Sequence, residues 1–193
     1  MQIRELITKV RDKLQDTDAV YWSDSELVDL CNECKRYLAA ERKENPTTST
    51  LVTYDGIDTY TVDGVLRYIS ATNQEGNELI LYPDDGSIAD KTSGIVIEDY
   101  NRIKVKNPID EVITIKHISF PEEDNLNDTI RMGDEESYRY FVLSKCYEKD
   151  NDMEQFQKAQ YFWSMFVGAM KYSKKNSSLG YVERVHTTKS YFY

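Results

Sequence analysis

The stretch Asn45-Pro46-Thr47-Thr48-Ser49-Thr50-Leu51-Val52-Thr53-Tyr54-Asp55-Gly56 decides the fold, because two kinds of chain meet in it. Upstream, apolar residues recur every three or four positions, the spacing of one helical stripe. From Thr50 the period changes to two and β-branched residues accumulate, the pattern of a half-buried strand. Asn45-Pro46 stops the helix, since proline lacks an amide N–H and disfavours helical backbone in the residue before it. Asp55-Gly56 supplies the positive φ values of a tight hairpin turn, so residues 51–54 and 57–62 are predicted to pair across it.

Working outward toward the N-terminus, Ile3, Leu6, Ile7, Val10 and Leu14 lay one stripe on a first helix over residues 1–14. After a break at 15–21 comes Ser23-Asp24-Ser25-Glu26, a capping box in which the Ser23 hydroxyl and the Glu26 carboxylate satisfy each other's orphan amides. The second helix runs to about residue 44 and buries Leu27, Leu30, Cys31, Cys34 and Leu38. Downstream, strands are predicted at 67–72, 78–82, 94–98, 102–106 and 111–120, separated by loops rich in Asp, Asn and Gly. Short strands with short loops favour an antiparallel meander over βαβ units.

After the polar stretch 121–133 the helical period returns. Tyr138, Phe141, Val142 and Cys146 mark a third helix to about residue 150, and Asp150-Asn151-Asp152 is short enough only for a tight helical hairpin. The fourth helix, 153 to about 174, carries Phe156, Ala159, Phe162, Trp163, Phe166, Val167 and Met170 on more than one face, so it must be covered on more than one side. Residues 176–193 have no amphipathic period long enough to fold alone and read as an extended arm. The expected class is α+β: a four-helix bundle (1–48 and 121–175) formed by N- and C-terminal helical hairpins, with an inserted antiparallel β lobe (49–120) and an extended C-terminal arm (176–193).

The charge of the chain is unevenly spread. The 193 residues carry 24 Lys and Arg against 34 Asp and Glu, a net −10. Residues 171–193 hold five bases and one acid, a net +4, which leaves −14 on residues 1–170. An acidic body argues against a conventional nucleic-acid binder, whose affinity rests on a positive face that neutralises phosphates. The 12% aromatic content and only 8 Gly and 4 Pro exclude a disordered chain. The charged opening lacks the apolar core of a signal peptide, and no apolar run approaches the roughly 20 residues of a membrane span. Three cysteines without framework spacing fit a reducing cytoplasm.

Each chemical constellation has a competing structural reading. Cys31-Asn32-Glu33-Cys34 has the spacing of two thiolate ligands, but a closed zinc site needs two more. Cys146, His117 and His186 are scattered over helix, strand and tail, so the cysteines are assigned to core packing. Asp84-Asp85, Glu98-Asp99 and Glu122-Glu123-Asp124 have the chemistry to hold Mg²⁺, although acid pairs in turns are usually solvated. No two of the eight glycines lie closer than eight residues, which excludes phosphate-binding loops. Neither lone histidine supports a nucleophilic triad. No catalytic residue, cofactor or metal is assigned.

Tyr21-Trp22-Ser23-Asp24-Ser25-Glu26-Leu27, continuing to Leu30-Cys31-Asn32-Glu33-Cys34, resembles the opening of the head-to-tail adaptor (connector) proteins of tailed bacteriophages. There a short helix precedes a Trp-Ser/Thr-Asp-x-Glu-Leu helix start and a hydrophobic-Asn-Glu-small turn. The resemblance extends to a β insertion opening with an Asp-Gly turn and Tyr60-Thr61-Val62, and to two closing helices with an Asp-Asn-Asp link. It departs where Val62-Asp63-Gly64 replaces Leu-Pro and where Cys34 replaces alanine.

The resemblance implies a non-enzymatic virion protein at the head-tail interface, assembled in the host cytoplasm. It implies a ring of about twelve copies beneath the portal protein, with tail or nozzle proteins below and genomic DNA passing without sequence-specific binding. A C-terminal arm of such proteins commonly reaches the portal. That role maps here onto Lys174, Lys175 and Arg184 as charge anchors and Tyr191, Phe192 and Tyr193 as apolar plugs. The alternatives are a metal-dependent hydrolase using Asp84, Asp85, Glu98 and Asp99, and a stopper or tail-completion ring of the same particle.

Overall fold

The computed structural model describes residues 1–83, 94–106, 110–149 and 153–178, with side chains to residue 171. The fold is α+β, with four helices and two four-stranded sheets among the described residues. Two compact units are present: Met1–Lys35 with Glu123–Tyr193, and Arg36–Glu122.

The first unit is helical. Helix α1 (Ile3–Leu14) buries the predicted stripe, with Ile3, Leu6, Ile7 and Val10 at most 4% exposed. Its orphan N-terminal amides are satisfied from far along the chain: the Ile3 N–H donates to the Asp128 carbonyl and the Arg4 N–H to that of Leu126, both at 3.0 Å. At its other end Gln15 takes a left-handed φ of 59°. The Asp16 N–H then reaches the Arg11 carbonyl at 3.0 Å and the Gln15 N–H that of Asp12 at 3.4 Å, the two bonds of a Schellman turn.

Helix α2 (Asp24–Arg42) starts at the expected capping box. The Ser23 N–H donates to Glu26 Oε2 at 2.9 Å, and the Glu26 N–H donates to Ser23 Oγ at 3.2 Å. Helix α3 (Glu135–Glu148) packs along α4 (Met153–Ser178) through Phe141 and Phe166, whose rings meet edge-on at 5.2 Å. At 26 residues α4 is roughly 39 Å long and passes the expected end at 174 to take in Asn176, Ser177 and Ser178. No glycine or proline follows Gly168 until Gly180, so nothing in the sequence forces an earlier stop. The expected link 150–152 and residues 179–193 of the arm lie outside the described residues.

In the second unit, β1 (Pro46–Thr53), β8 (Glu111–Ser119), β3 (Val65–Thr72) and β4 (Glu78–Leu79) form one sheet in the order β1-β8-β3-β4. The strands β2 (Thr59–Thr61), β7 (Arg102–Lys106), β6 (Gly94–Ile97) and β5 (Leu81–Pro83) form the other, in the order β2-β7-β6-β5. Both sheets feed one core: Val65 and Ala71 from β3, Ile113 and Ile115 from β8, Ile95 from β6, and Ile103 and Val105 from β7.

This topology corrects three expectations. The Asp55-Gly56 turn forms, with Gly56 at φ 79° and the Ile57 N–H on the Tyr54 carbonyl at 3.1 Å, but it closes no hairpin. Strand β1 pairs with β8 from Pro46↔Ile118 to Thr53↔Glu111, and β2 pairs with β7. The reason is pairing length: β8 offers eight partners and a buried row of isoleucines, whereas β2 has three residues. The expected strand 78–82 is two strands in different sheets, broken at Ile80, which is 58% exposed. The strands therefore do not form a meander, and β5 pairs with β6 in parallel.

Gly94 makes that parallel pairing possible. Its φ is 142°, and a Cβ built on it would lie 2.6 Å from Tyr82 Cε2 and 2.8 Å from the Ile80 carbonyl oxygen. Gly56 also has positive φ, but open space surrounds it. Gly56→Ala should therefore cost only the left-handed backbone term, about 1–2 kcal/mol. Gly94→Ala adds an overpacking term of about 1–3 kcal/mol. Urea denaturation of the two variants should show the larger midpoint loss for Gly94→Ala.

Candidate partner-binding surface

The segment between α1 and α2 is shaped by one carboxylate. Asp16, 4% exposed, accepts backbone N–H bonds from Val20 (2.9 Å) and Tyr21 (3.1 Å) on Oδ1 and from Trp22 (3.1 Å) on Oδ2. The Arg11 guanidinium donates to Asp16 Oδ2 at 3.1 Å and reaches Asp24 Oδ1 at 2.6 Å with its other nitrogen. Burial raises the Asp16 pKa, but the three N–H donors and Arg11 outweigh it, and the net displacement is below the ordinary 3.8. The loop so formed presents Val20 and Tyr21, 75% and 77% exposed, and sets Trp22 at the start of α2.

Lys149, just past the last turn of α3, closes over this start. Its ammonium sits 4.2 Å from the Trp22 ring centroid and 3.3 Å from Glu26 Oε1. The Glu26 carboxyl is lowered from its ordinary value, chiefly by the Ser23 backbone N–H, then by the Ser23 hydroxyl and Lys149.

Asn32 joins α2 to the polar stretch before α3. Its Nδ2 donates to the Asp124 carbonyl at 3.1 Å, and its Oδ1 accepts the Asp124 N–H at 2.7 Å. This two-way amide clamp is reinforced by the Lys35–Asp124 ion pair. Burial pushes the thiol of Cys31, and that of Cys146 on α3, each up to about 12. The spacing at 31–34 points to its sulfurs, whereas the residue that positions the chain is the asparagine between them. A buried amide in mid-helix is the signal that would have found it.

Helix α4 supplies a further surface. Ala159, Phe162 and Phe166 form its buried seam, at most 8% exposed. On one flank lie Phe156 and Trp163, 48% and 37% exposed, lining a cavity of about 290 Å³ against Ser144, Lys145 and Glu148 of α3. On the other lie Tyr161 and Met165, 59% and 36% exposed. The helix thus carries apolar residues beyond what its own unit covers, the kind of excess that marks an interaction surface.

The residues chosen from sequence are not brought together by the described structure. Lys174 and Lys175 fall in the last turns of α4, and Arg184, Tyr191, Phe192 and Tyr193 lie outside the described residues, as do Asp84 and Asp85. Glu98 and Asp99 serve a turn: Asp99 Oδ1 accepts the N–H groups of Asn101 (2.8 Å) and Arg102 (2.7 Å), and Glu98 pairs with Arg102 Nε at 2.7 Å. His117, 3% exposed, meets Ser49 Oγ at 2.9 Å and Thr47 Oγ1 at 3.3 Å, the environment of a satisfied core histidine. Among the described residues no group of three or more His, Cys, Asp or Glu is arranged to hold a metal ion, and no helix is long and apolar enough to cross a membrane.

The model of the family described as SU10 adaptor protein covers residues 1–185. No curated protein matches the chain.

The depressed Asp16 pKa carries a pH signature. Its contribution to stability is fully present above the unfolded value near 3.8 and is lost as the pH falls through the lower folded value. Asp16→Asn keeps one acceptor oxygen and loses the charge facing Arg11. The gap in denaturation midpoint between wild type and this variant should be wide at pH 7 and close progressively below pH 4.

Proposed function

The chain belongs to the SU10 adaptor protein family, a phage head-to-tail adaptor family, and on that premise we propose that it forms a ring beneath the portal, extending the DNA channel and presenting a surface to the tail. It is a phage structural adaptor protein, and its family is not known for catalysis. The observation that carries the proposal is the family match over residues 1–185, which spans both helical hairpins and the β lobe between them. The apolar flanks of α4 support it, because a ring needs lateral contacts between copies and leaves such flanks dry once closed.

Several finer features follow under this reading. The ring holds about twelve copies, at the virion neck, after assembly in the host cytoplasm. The helices pack as one four-helix bundle, with the β lobe of 49–120 inserted and the residues after α4, 179–193, serving as the arm. Lys174, Lys175 and Arg184 anchor that arm electrostatically to the portal while Tyr191, Phe192 and Tyr193 fill apolar recesses. The ordering cost, about 1–2 kcal/mol per residue, is recovered only on docking. The acidic body suits a passage for DNA: carboxylates toward the lumen repel phosphate and let the duplex slide.

Removing residues 179–193 tests the arm, because the cut leaves α4 whole. The truncated protein should keep its helical circular dichroism signal and lose co-sedimentation with portal rings. Undiminished co-sedimentation would show that the arm does not dock there.

A further inference from the structure

The first unit carries a cleft between α1, α3 and α4 whose charge opposes that of the chain around it. Two adjoining cavities, about 360 and 410 Å³, share Lys13, Tyr161 and Phe162. Lys9, Lys13, Arg139 and Lys158 line them, and among the described residues no acid does, although residues 1–170 carry a net −14. Arg139 and Lys158 are each paired outside the lining, to Glu136 at 3.3 Å and Glu154 at 2.8 Å. Lys9 and Lys13, one turn apart on α1 and both exposed, have no carboxylate at ion-pair distance among the described residues. The Lys9 ammonium meets the Met1 sulfur at 3.3 Å.

Between the cations the wall is apolar. Phe162 and Leu143 are 8% and 2% exposed, with Tyr147 stacked on Phe162 at 5.6 Å and Tyr161 standing at the rim, 59% exposed. A cleft with positive charge over an aromatic wall complements a chain that is negative and apolar together. We propose that it docks an acidic peptide segment of a partner protein, an apolar or aromatic side chain of the segment seating against Phe162 and Tyr161 while its carboxylates meet Lys9, Lys13 and Arg139.

A nucleic acid fits the cleft less well. Its affinity grows with the number of phosphates neutralised, and two lysines outside any salt bridge amid a −14 body neutralise few among the described residues. An acidic segment needs only a few such charges, since burial of its apolar side chain supplies the rest. The proposal deepens the adaptor reading by assigning a surface to a partner other than the one that takes the arm, and rests on that reading for the existence of such a partner.

Fluorescence anisotropy of the full chain tests it, with a short labelled peptide of Asp and Glu residues around a central Leu-Phe as probe. Binding should saturate, weaken with salt, and fall by about tenfold or more in Lys9→Glu/Lys13→Glu. Both substituted lysines are solvent-exposed, so the fold is retained, and circular dichroism confirms it. Tyr161→Ala should weaken the Leu-Phe peptide and leave an all-acidic control peptide, itself a poorer binder, unchanged. No saturable binding, equal binding of the two peptides, or preference for a single-stranded oligonucleotide would each overturn the proposal. Portal co-sedimentation of Lys9→Glu/Lys13→Glu separates the two readings. Attachment retained while the peptide fails to bind overturns the cleft alone, and loss of attachment would show that the cleft serves the portal and overturn its assignment to another partner.

Discussion

Everything at the start of α2 depends on the Asp16 carboxylate. A chain turning between two helices exposes amides that helical bonding cannot satisfy, and burying them unpaired is costly. Asp16 collects three of these, from Val20, Tyr21 and Trp22, and is held by the buried Arg11. Because Arg11 also reaches Asp24, the end of α1, the loop and the first residue of α2 are fixed as one piece. The capping box of Ser23 and Glu26, and the stacking of Lys149 on Trp22, are built on a backbone whose direction that piece has already set.

Local signals were legible in the sequence where the chemistry is local. The stripes of α1 and of α4, the Ser23 cap and the turn at Asp55-Gly56 all appear where their residues demand them. Pairing partners were not legible, because they are decided by what lies far away. Asp55-Gly56 bends the chain correctly, yet β1 turns to β8, some sixty residues on, for the buried surface of Ile113, Ile115 and Ile118. Likewise Leu79 and Leu81 alternate as in one strand, but Gly94 lets a second backbone come close and draws Leu81 into the other sheet.

The candidate surface divides in the same way. The apolar excess of α4 was readable as periodicity, since no single stripe could contain Phe156, Tyr161, Trp163 and Phe166. The positive cleft was not, because Lys9 and Lys13 belong to α1 and Arg139 to α3, and only folding sets them around one aromatic wall in an otherwise acidic body. Asn32 was hidden by its neighbours: a pair of cysteines invites a metal or redox reading, while the clamp on Asp124 is made by an amide.

The bonds at the N-terminus of α1 also impose an order of events. Ile3 donates to the carbonyl of Asp128, 125 positions later, and Arg4 to that of Leu126. At 5–20 residues per second a ribosome takes roughly 6 to 25 seconds to supply those acceptors. The second unit, a continuous segment from Arg36 to Glu122, is complete before they exist. During synthesis, therefore, the inserted unit is the first able to fold, and the helical unit waits for the chain to return to its own beginning.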